Sequence, residues 1–362
     1  MKVALLHFCF EDYTIQLVNA LVELIDIVLI HPEKVSMACR DALDPRVQIR
    51  SFKKPRIRDP RNIFTMMEIM QILREVQPDV LHVQETNDFW YDLTLLFNRM
   101  PPLVTTIHDV YRHPGDRQTP PGAEYTRQIS FYRSQQLIVH AQTLKDVLVK
   151  QFRVPEQRIH VIAHGELGSL YQRRSHQQLV EREPHTLLFF GRIWQYKGLN
   201  YLLEAMPQVV AQIPDAKLII AGRGEDLSYY FPNGHYPDYV ELHNDFIPVE
   251  QVAQLFQRSA AAVLPYIESS QSGVAALAYG LGTPVIASDI GGLREIIRHK
   301  EDGLLVAPGN SQALSNAIVH FLSSQSLQSQ MQISALERCK HDLSWLKIAS
   351  QTISIYCQTS KT

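Results

Sequence analysis

The sequence of 362 residues is poor in cysteine, and its few cysteines form no recognisable site. None of them belongs to a CxxC pair or stands at a zinc-ligand spacing from a histidine; they are Cys9, Cys39, Cys339 and Cys357. A disulfide framework or a structural zinc site is therefore not expected, and a reducing cytoplasm fits this cysteine usage.

An excess of charge of either sign is also missing, since 35 Lys and Arg face 37 Asp and Glu for a net charge of −2. This balance argues against a dedicated nucleic-acid binder, which usually carries a strongly basic total. The longest apolar candidate, 273–287, is interrupted by glycine and proline, whereas a membrane-spanning helix needs about 18 apolar residues. The opening MKVALLHFCF runs directly into Glu11 and Asp12 without a small-residue cleavage site, so it predicts a first strand of a soluble protein and not a signal peptide.

What the sequence does contain is a repeated alternation of short, β-rich apolar segments with helical patterns. Such alternation is typical of parallel sheets covered by helices on both faces. Eleven predicted strands and a polar stretch at 171–184 indicate two doubly wound α/β domains instead of one barrel. The predicted strands are 3–8, 26–31, 80–84, 103–107, 136–140, 159–163, 186–190, 217–221, 239–242, 261–265 and 284–288.

Four histidines stand at the ends of predicted strands in the first half of the chain: His82, His108, His140 and His164. Ligands of α/β domains bind at the carboxyl ends of strands, so these positions predict a polar pocket lined by neutral donors. The alternative is that each histidine is a hydrogen-bonded structural residue. A metal site is not predicted, because ligands drawn from four separate strands have no spacing signature.

The segment 187–206 carries the strongest chemical signal. A predicted strand ends at Gly191, two cations follow at Arg192 and Lys197, and Gly198 leads into a helical pattern. Two permanent cations beside helix amides at the carboxyl end of a strand suit a diphosphate. The alternative is a solvated loop with two ordinary surface cations.

The same segment carries a family resemblance. FFGRIWQYKGLNYLLEA (189–205) resembles the G-R-x₄-K-G segment of the retaining GT-B glycosyltransferases, in particular glycosyltransferase family 4 (group 1). Further segments that look like that family follow in the expected order: 78–84, 105–110, 158–165, 217–226, 246–266, 282–297, 302–310 and 343–356.

The resemblance implies the GT-B fold, in which two Rossmann-like doubly wound domains face a cleft. An acceptor-binding domain would span 1–175, a nucleotide-sugar-binding domain 176–340, and a last helix within 341–362 would cross back to the first domain. The implied activity is retaining transfer of a hexose-type sugar from a nucleotide-diphosphate sugar to a glycan or lipid-linked acceptor, in cell-envelope or extracellular polysaccharide synthesis. Two other functions stay open: a GT-B-type nucleotide-sugar epimerase, and a non-catalytic binding or scaffold subunit.

By family precedent, Arg192 and Lys197 would neutralise the diphosphate leaving group. Cations fixed where charge develops stabilise the transition state more than the ground state. They would replace a metal, so no metal and no cofactor are expected beyond the donor itself. His108 matches a histidine that would contact the transferred sugar; the alternative is a strand-end histidine bonded to Asp109 or to backbone. Further donor-binding residues implied are Gly191, Phe246 and Ile247.

One departure from the family pattern concerns a pair of glutamates ahead of the segment 282–284. Glu268 would serve as the first and contact sugar hydroxyls, but the second, expected on the ribose, falls on Ala276 or Leu277. Substitute donor contacts would come from Ser270, Gln271, Ser272, Gly273 and Val274. The other interpretation, compatible with the first, is that this polar segment caps a helix.

The stretch 46–61 holds seven cations against one acid. A solvated loop is one interpretation. The other is a contact with anionic lipid head groups or an acceptor pyrophosphate, which would place a cytoplasmic enzyme on the inner face of the membrane. Nucleic acid is not expected as a partner, because aromatic residues do not interleave with the cations.

Overall fold

A computed structural model of the protein describes residues 1–9, 11–34, 41–86, 88–111, 123–175 and 180–360. The chain divides into two compact α/β units. The described residues of the first unit fall within Met1–Val110, Arg117–Gly165 and Trp345–Thr362. Those of the second unit are Tyr111 and the residues described within Glu166–Ser344.

The first unit is built on a parallel sheet. Its strands are β1 Lys2–Leu6, β2 Asp26–Pro32, β3 Gln48–Phe52, β4 Val80–Gln84, β5 Leu103–Ile107, β6 Gln136–Val139 and β7 Ile159–Val161. Its first helices are α1 Glu11–Leu21, α2 Asn62–Val76, α3 Phe89–Phe97, α4 Ala123–Arg133 and α5 Gln142–Lys150. The strand order is β3-β2-β1-β4-β5-β6-β7. All five residues of β4 are buried, as expected for a central parallel strand with helices on both faces.

The second unit repeats this architecture with six parallel strands. They are β8 Glu183–Phe190, β9 Lys217–Ala221, β10 Val240–His243, β11 Ser259–Leu264, β12 Val285–Ser288 and β13 Gly303–Val306, in the order β10-β9-β8-β11-β12-β13. The helices are α6 Gly168–Arg174, α7 Leu199–Gln212, α8 Val249–Arg258, α9 Gly273–Gly280, α10 Gly291–Ile296, α11 Ser311–Leu322 and α12 Gln325–His341. The apolar faces of α7, α11 and α12 share one core cluster with the strands.

The helix α13, Trp345–Thr359, belongs to the first unit. Its residues Ile348 and Ala349 lie in the same apolar cluster as residues of β1 and α1. The hydroxyl of Tyr356 lies 2.6 Å from Nδ1 of His82, so the helix is also tied to β4 by a buried polar contact. Within the described ranges, no helix combines the length and the apolar character needed to cross a bilayer.

The predicted pair of doubly wound parallel sheets is confirmed, but the sequence pattern missed two strands. β3 lies inside the basic stretch 46–61, so the interpretation of that stretch as a loop is wrong for 48–52. Ile49 and Arg50 are exposed there, because an edge strand is held by backbone pairing with β2 and needs no apolar alternation. β13 is a second short edge strand. The predicted boundary at 175/176 borders 176–179, which lie outside the described residues.

Candidate functional site

The second sheet has one topological switch point, between β8 and β11. After β8 the chain proceeds outward through β9 and β10, and it then returns to the other side of β8 to form β11. The loops that leave two such strands separate and open a crevice at their carboxyl ends, where doubly wound domains bind ligands. Two predicted site segments, 191–198 and 268–274, follow these two strands.

The loop after β8 is shaped by a single turn of 3₁₀ helix and a glycine. The turn spans Gln195–Lys197, and Gly198 follows with φ of 69° as the N-cap of α7. A Cβ atom on Gly198 would lie 1.9 Å from the carbonyl oxygen of Pro265, which follows β11. Only glycine therefore allows this loop to lie so close to β11 and fixes the position of Lys197.

Lys197 lies against two aromatic rings. Its Nζ is 3.7 Å from the ring centroid of Tyr266 and 5.1 Å from that of Tyr196. Tyr266 is buried, and this burial raises the pKa of its hydroxyl, while the Ser272 hydroxyl and the Arg192 charge act in the opposite direction. Cation–π contact of this kind holds the ammonium group in place. Tyr266 thus links Lys197 to the segment after β11.

The segment after β11 ends in a capped helix. The side chain of Ser272 accepts from the backbone N–H of Ala275 at 3.3 Å, so the capping interpretation of this segment is confirmed. The first helical residues are Gly273 and Val274, and a Cβ built on Gly191 would lie 3.7 Å from Cγ2 of Val274. The end of β8 and the amino end of α9 are therefore adjacent, and free amides at such an end favour an anion.

The positions of the two family glutamates differ sharply in exposure. Glu268 is exposed in the loop, while Ala276 and Leu277 are buried inside α9. A side chain at either buried position faces the core, so the missing acid is not supplied from α9. On its other side, the loop after β11 packs closely against the start of α10. A Cβ on Gly292 would lie only 2.4 Å from the carbonyl oxygen of Ser270, so glycine is needed for this approach.

Phe246 and Ile247 follow β10 at the edge of the sheet. Phe246 is 73% exposed, and its backbone N–H donates to Oδ1 of Asp245 at 2.7 Å. These residues share the carboxyl edge of the sheet with the loops after β8 and β11. Their contact with the base of a nucleotide stays a prediction.

Three of the four predicted histidines of the first unit come together around a tyrosine. The ring centroids of His108, His140 and His164 lie 5.0, 5.0 and 5.1 Å from that of Tyr13. All three are buried, and burial lowers the pKa of His140 to about 3, that of His164 to about 4 and that of His108 well below its ordinary value. The cluster is therefore neutral near pH 7.

His82 forms its hydrogen bonds with residues outside this cluster. Its Nδ1 faces the Tyr356 hydroxyl at 2.6 Å and its Nε2 faces Oγ1 of Thr106 at 2.8 Å. Both ring nitrogens are thus used inside the first unit, so the structural alternative holds for His82. His108 contacts Oε1 of Gln84 through Nε2 at 2.9 Å.

A buried ion pair fixes the backbone that carries His108. Oε2 of Glu85 accepts from the backbone N–H groups of His108 at 3.0 Å and Asp109 at 3.2 Å. Nε of Arg127 lies 2.8 Å from Oε1 of Glu85, and the same guanidinium donates to the carbonyls of Asp109 and Val110. Burial raises the pKa of Glu85 to about 7 in spite of Arg127.

The sequence pattern did not reveal Tyr13, Glu85 or Arg127. They lie in α1, directly after β4 and in α4, and no local spacing links them. Tyr196 and Tyr266 had a weak signal, since one directly precedes Lys197 and the other follows a predicted strand. Across the described part of the chain, no three His, Cys, Asp or Glu residues are grouped to hold a metal ion. That the reaction needs no metal stays a prediction.

The histidine cluster predicts sensitivity to acid. The unfolded chain binds protons at histidine as the pH falls below 6.5, while buried histidines with a lowered pKa do not, so their contribution to stability is lost as the pH falls. Glu85 and Asp92 act in the opposite sense, because burial raises the pKa of each to about 7 and their contribution is lost as the pH rises.

The effect of the histidines exceeds that of the two acids, because burial also lowers the pKa of His7 to about 4 and that of His82 to about 3. We expect the free energy of unfolding to fall by about 2–4 kcal/mol between pH 7 and pH 5.5. Urea denaturation at the two pH values measures it. The variant His140→Gln should show a shallower decline, and an unchanged urea midpoint in the original protein would contradict the prediction.

Comparison with known proteins gives two family matches. The family model described as glycosyl transferases group 1 matches residues 184–324, and the one described as glycosyl transferase 4-like matches residues 2–141. The first match contains the loops after β8 and β11, and the second contains β1 to β6 with His108.

Two individual relatives and one solved structure illustrate how similar the chain is to known proteins. An uncharacterized glycosyltransferase of Methanocaldococcus jannaschii is 27% identical over 77% of this chain and 75% of its own length. A phosphatidyl-myo-inositol mannosyltransferase of Mycobacterium leprae is 31% identical over 47% of this chain and 46% of its own length. The structure of Anabaena HepE in complex with UDP matches with a TM-score of 0.73 at 16% identity, over 99% of this chain and 100% of that one.

Proposed function

Because the chain belongs to the group 1 glycosyltransferases of the GT-B fold, we propose that it transfers a sugar from a nucleotide-diphosphate sugar, with retention at the anomeric carbon, to a glycan or lipid-linked acceptor. As a member of this group it is an enzyme of the hexosyltransferase type. Membership of the family does not by itself give the retaining outcome or the class of acceptor, so these two points are what is proposed.

The observation that carries the proposal is the pair of cations at the switch point of the second sheet. Arg192 and Lys197 follow β8, and Tyr266 brings Lys197 against the segment after β11. The amino end of α9 lies beside Gly191. A diphosphate at this point would meet two positive charges and helix amides together.

In the proposed reaction the bond between the anomeric carbon and the diphosphate oxygen breaks, and the oxygen gains negative charge. Arg192 and Lys197 stabilise that charge as it develops, which lowers the barrier more than it tightens donor binding. Lys197 is already oriented by two rings, so little reorganisation is needed when the charge appears. Under this proposal no metal ion is required at the diphosphate.

Sugar contacts are assigned to Glu268 and His108. Glu268 is exposed at the carboxyl end of β11 and would accept hydrogen bonds from sugar hydroxyls. Neutral His108, on a backbone fixed by Glu85, would offer a directed donor or acceptor. Phe246 and Ile247 would face the base, and Ser270 to Val274 would complete the donor contacts.

The proposed setting is the cytoplasm, at the inner face of a membrane, in the synthesis of cell-envelope or extracellular polysaccharide. The mannosyltransferase relative supports a lipid acceptor, because its name gives a phosphatidyl-inositol lipid as its acceptor. The cations of 46–61 support contact with anionic head groups.

The test is titration calorimetry with UDP-, GDP- and ADP-sugars, followed by product analysis with the donor that binds. We expect one base to bind at least about tenfold more tightly than the others, and a glycoside to form with the anomeric configuration of the donor. Inversion of configuration would contradict the retaining assignment. A free altered sugar without a glycoside would favour an epimerase.

A further inference from the structure

Helix α2 buries one apolar face in the core and exposes further apolar residues at its start. Its inner face buries Met66 and Ile69 against the first sheet. Its outer face presents Ile63, Phe64 and Met67, which are 52%, 66% and 61% exposed. The exposed residues of α2 beyond Met67 are polar, so the apolar part of the outer face is confined to the first two turns. Its three apolar side chains lie outside the core cluster that the inner face joins.

The neighbouring helix α3 continues this exposed surface. Leu96 and Phe97 at its end are 49% and 81% exposed. A groove of about 720 Å³ runs between the two helices, and Trp90 and Leu93 line it together with Phe64, Met67 and Phe97. We call the exposed set Ile63, Phe64, Met67, Leu96 and Phe97 the α2–α3 face. Clustered exposure of this kind marks an interaction surface.

Cations adjoin the α2–α3 face. A second cavity, of about 480 Å³, shares Phe64 and Glu68 with the groove. Its lining holds two acids, Glu33 and Glu68, and four cations: Lys34, Lys53, Lys54 and Arg61. Two of these cations are paired, Lys54 with Asp88 and Arg61 with Asp59, each at 2.6 Å. The exposed Arg56 and Arg58 stand in the segment between the cavity residues and α2, so positive charge prevails beside the apolar surface.

We propose that the α2–α3 face docks on an anionic membrane surface. The apolar side chains would enter the boundary between head groups and acyl chains, while Lys53, Arg56 and Arg58 remain at the level of the phosphates. This deepens the membrane contact of the proposed function by supplying its apolar part, and it depends on no step of sugar transfer. A second copy of the chain is disfavoured as occupant, because two copies of the basic rim would repel each other.

The test is cosedimentation of the full chain with two kinds of vesicle, phosphatidylcholine alone and phosphatidylcholine mixed with phosphatidylglycerol. We expect binding to the mixed vesicles that weakens as salt is added, and at least about tenfold weaker binding to the neutral ones. No binding to the mixed vesicles, or equal binding to both, would overturn the proposal.

Two variants with matched controls locate the contact. Phe64→Ser with Phe97→Ser should weaken binding to the mixed vesicles by at least about tenfold, since each exposed ring loses its transfer into the membrane. Ile333→Ser, at a site 58% exposed in the second unit, should not. Arg56→Glu with Arg58→Glu should weaken binding similarly, and Lys340→Glu should not.

All four variants change exposed side chains, so each should keep its thermal unfolding temperature and its affinity for the nucleotide diphosphate. That second readout separates a failure of this inference from a failure of the proposed donor site. Full vesicle binding by Phe64→Ser with Phe97→Ser would overturn the assignment of the face. A concentration-dependent dimer that this variant abolishes, without vesicle binding by the original chain, would replace the membrane by a second copy.

Discussion

Replacing Lys197 with alanine is expected to lower kcat for sugar transfer about 10²–10³-fold, because a positioned charge that stabilises a developing anion contributes on that scale. The KM for the donor should rise much less, since the interaction strengthens as the diphosphate leaves. Steady-state kinetics with the donor identified by calorimetry measures both. Lys217→Ala, an exposed lysine at the amino end of β9, is the matched control and should leave both parameters unchanged.

The role of Tyr266 in orienting Lys197 is tested by a second pair of variants. Tyr266→Phe keeps the ring face 3.7 Å from the ammonium group and should retain most of the activity. Tyr266→Leu removes the ring and should lower kcat, though less than the loss of Lys197 itself. Wild-type kcat in Lys197→Ala would show that the cation does not stabilise the leaving group.

The parts of the site that the sequence predicts are those in which the chemistry lies within one short segment. Arg192, Lys197 and Gly198 are such a case, since their spacing and the preceding strand are visible in the chain itself. The buried central strands were likewise predicted, because continuous apolar runs between helical patterns indicate parallel strands with both faces covered.

The parts that were missed depend on the order of strands in the sheets. Tyr266 meets Lys197 because β11 lies beside β8, and local spacing does not reveal that neighbour relation. β3 was not predicted for a different reason. Its side chains are largely exposed, so backbone hydrogen bonds to β2 decide its conformation. Such contacts follow from the assembled sheet and have no counterpart in composition or periodicity.

Breaking the ion pair between Glu85 and Arg127 is expected to have a large effect on stability. Replacing Arg127 with methionine should lower the free energy of unfolding at pH 9 by about 3–5 kcal/mol, because Glu85, with a pKa of about 7, is ionised there and loses its cation, and two carbonyls lose a donor. Urea denaturation followed by circular dichroism measures the change. Arg133→Met, an exposed position on the same helix α4, should change stability little.

The pH dependence of this deficit identifies its cause. Loss of Arg127 raises the pKa of Glu85 further above about 7, so the variant holds a neutral carboxyl over a wider pH range than the original protein. A raised carboxyl pKa means that stability is lost as the pH rises, so the deficit of Arg127→Met should shrink as the pH is lowered from 9 to 6. Adding Glu85→Gln to Arg127→Met should recover part of the stability at pH 9, because an amide is neutral without having to bind a proton on folding. A deficit that is equal at both pH values would show instead that the carbonyls of Asp109 and Val110, and not the carboxylate, are what Arg127 stabilises.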